Sequence, residues 1–95
     1  MEVNFKTEAL IDLDYWKNYG TLSEQNKITS LLQSIRETPF QGIGKPEPLK
    51  YNLSGKWSRR INRFNRIIYS IENDIIIVYS LRGHYNTQKS GKTHS

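Results

Sequence analysis

Apolar residues recur with a helical period in the first half of the chain and with a strand-like pattern in the second. A first helix is predicted between Thr7, its N-cap, and Gly20, which ends it. The apolar positions of this helix are Leu10, Leu13 and Trp16. Thr21 and Glu24 have the spacing of a capping box, which predicts the start of a second helix. The i, i+3, i+4, i+7 stripe of the second helix consists of Ile28, Leu31, Leu32 and Ile35.

Four segments have the composition of strands. A short one precedes the helices at residues 2–5, and the others cover 57–61, 66–72 and 75–81. Between the last two, Asn73 and Asp74 suit a two-residue hairpin turn. We expect this turn to place Arg66 opposite Leu81 and on the same face as Tyr85.

The order of these elements is a strand, two helices and an antiparallel meander. It predicts an α+β domain with the helices packed on one face of the sheet. Residues 38–48 contain two glycines and all three prolines of the chain, which predicts a loop. We expect residues 1–85 to form a single domain and residues 86–95 a polar, disordered tail.

Composition excludes several classes of protein. The chain has 95 residues, which suits one domain with a small core. It has no cysteine, so a disulfide or a cysteine nucleophile is impossible, and its two histidines are too few for a convincing zinc site. The N-terminus does not resemble a signal peptide, and no apolar stretch approaches the ~20 residues needed to span a bilayer. We therefore expect a cytoplasmic protein without a membrane or metal partner.

The net charge of +5 is unevenly distributed. Residues 1–44 have four basic and six acidic side chains, whereas residues 45–95 have ten basic and three acidic ones. The balances are −2 and +7, which predicts an electropositive face that attracts a polyanion such as nucleic acid. A solvated surface with a basic bias is the plainer interpretation.

Several residues in the second half fit metal-free RNA cleavage. That reaction needs a base for the ribose 2′-hydroxyl, cations for the phosphate and an acid for the departing 5′-oxygen. The ordinary pKa values of glutamate and histidine are about 4.3 and about 6.5, so the two can serve as base and acid near neutral pH. The planar guanidinium of arginine binds two phosphate oxygens at once. The candidates are Glu47, Lys50, Arg59, Arg60, Arg63, Arg66, His84 and Tyr85.

Each candidate also has an ordinary structural explanation. Glu47, between two prolines, fits a loop carboxylate, and His84 fits a solvent-exposed side chain near a chain end. The neighbouring arginines fit charges that protect an edge strand from aggregation. Two non-catalytic hypotheses therefore stand beside the nuclease: a basic RNA- or DNA-binding module, and a protein that binds an acidic peptide.

Three runs and one residue pair carry a family resemblance. They are TPFQGIGKPEPLK at 38–50, NLSG at 52–55, WSRRI at 57–61 and the pair His84-Tyr85. Together they closely resemble the YoeB/Txe toxins of the RelE-like group of toxin–antitoxin systems, over about residues 5–85. The resemblance implies a microbial-RNase-like fold and ribosome-dependent cleavage of mRNA in the A site. It also implies 2′-hydroxyl attack without a metal or organic cofactor.

Matched by position, the resemblance assigns roles to individual residues. Glu47 would be the general base, Arg66 the clamp on the phosphate and transition state, and His84 the general acid. Tyr85 would orient or stack the RNA, while Trp57 is assigned to the core. The supporting phosphate contacts would be Lys50, Arg59 and Arg60.

The resemblance also implies partners besides mRNA and the ribosome. One is a YefM/Axe-like antitoxin whose acidic, flexible tail folds over the basic face. Another is a second copy of the toxin, in a homodimer. Two features depart from the family pattern. Tyr51 stands where a histidine is expected, and residues 86–95 continue past the His-Tyr pair at which the family usually ends.

Overall fold

A computed structural model of the protein describes residues 1–83. The two helices are α1 (Thr7–Tyr19) and α2 (Leu22–Glu37), and a short 3₁₀-helix spans Tyr51–Leu53. The strands are β1 (Glu2–Phe5), β2 (Glu47–Pro48), β3 (Trp57–Arg60), β4 (Arg66–Glu72) and β5 (Ile75–Ser80). His84, Tyr85 and the predicted tail at 86–95 lie outside the described residues.

The five strands form one sheet in the order β1-β5-β4-β3-β2. β1 pairs with β5 in parallel, and the other neighbours pair antiparallel. Residues of both helices share one buried cluster with Ile67 and Tyr69 of β4 and Ile76 and Val78 of β5. The predicted α+β fold, with helices against one face of a largely antiparallel sheet, is confirmed. Trp57 packs against this core, as predicted.

Helix α2 begins as its sequence predicts. The Thr21 hydroxyl accepts a hydrogen bond from the Glu24 amide at 3.0 Å, and the Glu24 carboxylate accepts one from the Thr21 amide at 2.9 Å. These two bonds satisfy amides that have no partner within the helix. The predicted apolar stripe faces the core, where Leu31 and Ile35 are fully buried.

Helix α1 differs from its predicted pattern. Thr7 is its first helical residue rather than its N-cap, and Leu10 is exposed. The buried residues of α1 are Ala9, Asp12 and Trp16, and Leu13 packs beside them as predicted. A buried carboxylate replaces an apolar residue here because it has a backbone amide to bind: Asp12 Oδ2 accepts from the amide of Leu81 at 2.8 Å.

The hairpin between β4 and β5 turns at Asn73 and Asp74, as predicted. Both residues have positive φ, 51° and 65°, which the tightest hairpin turns require. Farther along, the register changes between Ile68 and Tyr69, leaving Tyr79 as an extra residue on β5. The predicted pairing of Arg66 with Leu81 is therefore wrong, and the Arg66 amide instead donates to the Gly83 carbonyl at 3.2 Å.

The segment predicted as a loop, 38–48, is irregular up to Pro46, and its last two residues form β2. Glu47 thus belongs to an edge strand that pairs with β3. Within residues 1–83, neither helix is long and apolar enough to cross a membrane.

Candidate active site

Strands β2, β3 and β4 bring the predicted base and the predicted phosphate clamp together. Glu47 is the Cα partner of Ser58, and Arg60 is the partner of Arg66. Paired residues share a face of a sheet, and so do residues two apart on one strand. The face carrying Glu47, Ser58, Arg60 and Arg66, which we call the site face, is therefore opposite the one covered by the helices.

Glu47 and Arg66 form an ion pair on this face. Arg66 Nη1 lies 3.6 Å from Glu47 Oε1 and donates to the Ser58 hydroxyl at 3.0 Å. The Glu47 side chain is 61% exposed and that of Arg66 is 16% exposed, so the guanidinium is held in place while the carboxylate faces solvent. Within residues 1–83, Nε and Nη2 of Arg66 make no hydrogen bond. These nitrogens are available to bind an anion.

The supporting cations differ in their positions. Arg60 is exposed on the site face, beside Arg66. Lys50 is exposed immediately before the 3₁₀-helix that follows β2. Both are accessible to a polyanion. Tyr51, the departure from the family pattern, is also exposed and has a positive φ of 59°.

Arg59 requires a correction. It points away from the site face and is fully buried. All five N–H groups of its guanidinium donate hydrogen bonds. The Nε group donates to the Tyr69 hydroxyl, and the four others donate to α2 and to the loop between α2 and β2. The acceptors there are Ser34 Oγ and the carbonyls of Ile43, Thr38 and Gln41. No donor remains for a phosphate, so the interpretation of Arg59 as an RNA contact is replaced by a structural role.

This buried cation holds the loop that leads to Glu47. Every partner of its guanidinium is a neutral oxygen, and three of them are loop carbonyls at 2.6–3.1 Å. Tyr69 adds a further bond to the loop through the Pro39 carbonyl at 2.6 Å. Burial raises the pKa of the Tyr69 hydroxyl above its usual value, against a smaller opposing effect of Arg59, so the hydroxyl remains a donor at neutral pH.

Gly44 completes the approach to β2. Its φ is +83°, and a Cβ there would lie 2.6 Å from Leu31 and 3.1 Å from Arg59. The Gly44 carbonyl accepts from the Arg60 amide at 2.7 Å. Only glycine therefore lets the loop pass this close to β3 and α2, three residues before Glu47.

The chain that leads to His84 is held at four backbone groups. The amide of Leu81 donates to Asp12, and its carbonyl accepts from Trp16 Nε1 at 2.8 Å. The amide of Gly83 donates to Asn65 Oδ1 at 2.7 Å, and its carbonyl accepts from the Arg66 amide. The last described residue is thus attached directly beside Arg66. His84 and Tyr85 themselves lie outside the described part of the chain.

Sequence reasoning missed three residues that support the site. Ser58 could have been found, because alternation along the WSRR run places it on the same face as Arg60. Asp12 and Asn65 gave no such signal, since each acts on a backbone group distant in sequence. Within residues 1–83, no three side chains of the metal-binding types come together.

Comparison with solved structures gives the class of the fold. The YoeB/ParE toxin from Agrobacterium tumefaciens superposes with a TM-score of 0.85 at 33% identity, over 90% of this chain and 100% of that one. The YoeB–YefM complex from Staphylococcus aureus matches with a TM-score of 0.80 at 37% identity, over 90% and 98%. A YoeB dimer from the same organism gives 0.82 with the same identity and coverage. The fold is that of these toxins.

Sequence comparison gives the family. The model of the YoeB-like toxin of bacterial type II toxin–antitoxin systems matches residues 5–85. Toxin YoeB of Escherichia coli K12 is 41% identical over 85 residues, which are 90% of this chain and 100% of that protein. The chain belongs to the YoeB family of toxins from bacterial type II toxin–antitoxin systems.

Proposed function

We propose that this protein is an endoribonuclease toxin that cleaves mRNA in the ribosomal A site without a metal ion or cofactor. The observation that carries the proposal is the Glu47–Arg66 pair, with a carboxylate 3.6 Å from a guanidinium on an accessible sheet face. Membership of the YoeB toxin family supports it. The basic second half of the chain supports it as well, since it favours a polyanionic substrate.

The first half of the reaction uses the described residues. Glu47 removes the proton of the ribose 2′-hydroxyl, and the resulting oxygen attacks the adjacent phosphorus. Arg66 binds the non-bridging oxygens through Nε and Nη2 and stabilises the charge that develops on them. Ser58 keeps the guanidinium in position, because its hydroxyl accepts from Nη1 and leaves Nε and Nη2 to the phosphate.

The second half is assigned to the two residues that follow Gly83. His84 protonates the 5′-oxygen as the phosphorus–oxygen bond breaks, and Tyr85 orients the RNA. The products are a 2′,3′-cyclic phosphate and a 5′-hydroxyl end, so protons and atoms balance without a co-reactant. The attachment of Gly83 to Asn65 and Arg66 supports this assignment, because it brings the chain to the site.

Ribosome dependence is part of the proposal and rests on what the reaction requires. Cleavage requires the 2′-oxygen, the phosphorus and the leaving oxygen to lie in line, and free single-stranded RNA seldom adopts that arrangement. We infer that a ribosome-bound codon is presented in this arrangement and that naked RNA is cut slowly. The protein would therefore act in the cytoplasm, with residues 1–85 as the functional domain.

The partner we propose is an antitoxin like the YefM that accompanies YoeB in the S. aureus complex. An acidic segment laid across the site face would pair with Arg60 and compete with RNA for Arg66. A homodimer, as in the S. aureus YoeB structure, is the second assembly we propose.

The test is a digest of a short mRNA, alone and on programmed ribosomes, with mapping of cut sites and product ends. Wild type is compared with Glu47→Ala and with Glu37→Ala, which removes an exposed carboxylate of α2. We expect A-site cuts with cyclic phosphate ends from wild type and Glu37→Ala, and none from Glu47→Ala. Equal cutting by all three would refute the assigned base. RNA binding without cutting would support a non-catalytic binding module instead.

A further inference from the structure

A depression lies on the sheet beyond Arg66. It has a volume of about 270 Å³ and is lined by Glu8, Leu53, Lys56, Ile68, Tyr79 and Ser80. Ile68 is the Cα partner of Ser58 and follows Arg66 by two residues on β4. The depression therefore continues the site face, because Ile68 lies beside Ser58, which is the neighbour of both Glu47 and Arg66.

The irregular register of β5 shapes this depression. Val78 pairs with Tyr69 and Ser80 pairs with Ile68, which leaves Tyr79 unpaired between them. The Tyr79 hydroxyl lies 2.9 Å from the Ser70 hydroxyl, and Ser70 shares the face of Ile68. The extra residue thus places two successive side chains, Tyr79 and Ser80, on the same face, as bulges beside active sites do.

Tyr79 is held in position by neighbouring side chains. Its hydroxyl also donates to Glu72 at 3.5 Å, and Lys56 Nζ lies 4.2 Å from the centre of its ring. Ile68 is buried beneath, so the depression has an apolar floor, an aromatic side and a cation at its rim. A flat, partly apolar group attached to a phosphate matches this combination, since aromatic and apolar walls contact a base while lysine binds the phosphate.

Glu8 adds a hydrogen-bond acceptor. An ionised carboxylate only accepts hydrogen bonds, so it favours a base whose edge carries an amino group. Cytosine offers an amino group at position 4, where uracil has a carbonyl oxygen that the carboxylate repels. We propose that this depression binds the base of a nucleotide next to the cleaved phosphate, and that Glu8 selects bases with an exocyclic amino group. This inference rests on the proposed function.

The experiment measures binding rather than cleavage. Hexamers of 2′-O-methyl cytidine and 2′-O-methyl uridine cannot be cut by the proposed mechanism, because the attacking hydroxyl is blocked. Each is titrated into ¹⁵N-labelled protein while the amide signals of Ile68, Tyr79 and Ser80 are followed. We expect these signals to shift and the cytidine hexamer to bind about tenfold more tightly, the effect of one good base contact.

Three variants separate the contributions. Glu8→Gln should reduce the cytidine preference to about one, because an amide both donates and accepts. Asp14→Asn removes an exposed carboxylate of the same helix and should leave the preference unchanged. Lys56→Met should weaken both hexamers equally and make binding less sensitive to salt.

Two results would overturn the inference. One is a cytidine preference that is the same in wild type and Glu8→Gln, whether that shared preference is large or absent. The other is an absence of shifts at Ile68, Tyr79 and Ser80, whether or not signals near Arg66 move. Neither depends on cleavage, so failure of the subsite is distinguished from failure of the proposed nuclease activity, which the mRNA digest measures.

Discussion

Arg59 and Tyr69 are bonded across β3 and β4: the Nε of Arg59 donates to the Tyr69 hydroxyl at 3.1 Å. The hydroxyl in turn donates a hydrogen bond to the Pro39 carbonyl at 2.6 Å. Two buried residues on the helix-covered face of the sheet thus bind the loop that precedes Glu47. A charged donor strengthens every bond in such a chain, and its loss leaves several carbonyls without partners.

Arg59→Met should therefore destabilise the protein by roughly 3–5 kcal/mol, because it leaves buried acceptors without their donor. Urea unfolding followed by circular dichroism measures the change. Arg36→Met, at an exposed arginine of α2, is the control and should change stability by less than about 0.5 kcal/mol. If both substitutions had equally small effects, the buried arginine would not be the anchor of the loop.

Ser58→Ala should slow cleavage about three- to tenfold, since one hydrogen bond that holds Arg66 contributes about 0.5–1.5 kcal/mol. Single-turnover cleavage on programmed ribosomes gives the rate. Ser58→Thr keeps the hydroxyl and suits a strand, so it should retain most of the activity. Equal rates for the alanine and threonine variants would show that the hydroxyl has no part in positioning Arg66.

Asp12→Ala should remove the hydrogen bond that connects α1 to Leu81, the residue that follows β5. The Leu81 amide loses its acceptor in the interior, at a cost of about 1–3 kcal/mol. Hydrogen exchange at that amide should accelerate more than exchange at the neighbouring strand amides. Asp14→Ala, at an exposed position two residues away, should leave the Leu81 amide protected. Unchanged exchange in Asp12→Ala would contradict the assigned bond.

Stability should fall in acid through Glu24. The Thr21 amide and then the Asn62 side chain bind its carboxylate and lower its pKa below the usual value. A lowered folded-state pKa contributes stability that is complete above the unfolded pKa of about 4.3 and is lost as pH falls through the folded value. Melting temperatures from pH 7 to pH 2 should therefore drop less in Glu24→Gln than in wild type. A parallel drop in both proteins would contradict this linkage.

Local signals in the sequence were sufficient for most elements. The Thr21–Glu24 capping box and the Asn73–Asp74 turn each depend on residues a few positions apart, and both were found as predicted. The prediction that Leu10 belongs to the apolar face of α1 was wrong because of a tertiary contact. Helix α1 buries the Asp12 carboxylate against a strand end about seventy residues away in sequence. The bulge at Tyr79 was missed for a similar reason, since alternation alone assumes an unbroken ladder.

The site was only partly predictable from the residues themselves. Glu47 and Arg66 were candidates from their chemistry and their place in the basic second half, the resemblance gave them roles, and the structure places their side chains in contact. Arg59 and Arg60 are adjacent in the sequence and equally basic, yet one is buried and the other exposed. Strand alternation predicts that they point in opposite directions, but only the loop carbonyls that receive Arg59 decide which one points inward.

The parallel pairing of β1 with β5 makes the first strand of the chain dependent on the last. A ribosome adds residues 2–5 before residues 75–78, and until the latter exist residues 2–5 have no neighbour in the described sheet. Contacts between such distant parts of a chain form late and slowly. Completion of the sheet is therefore one of the final events in the biogenesis of this toxin, and the nascent chain passes most of its synthesis with β5, which lies between β1 and β4, still unmade.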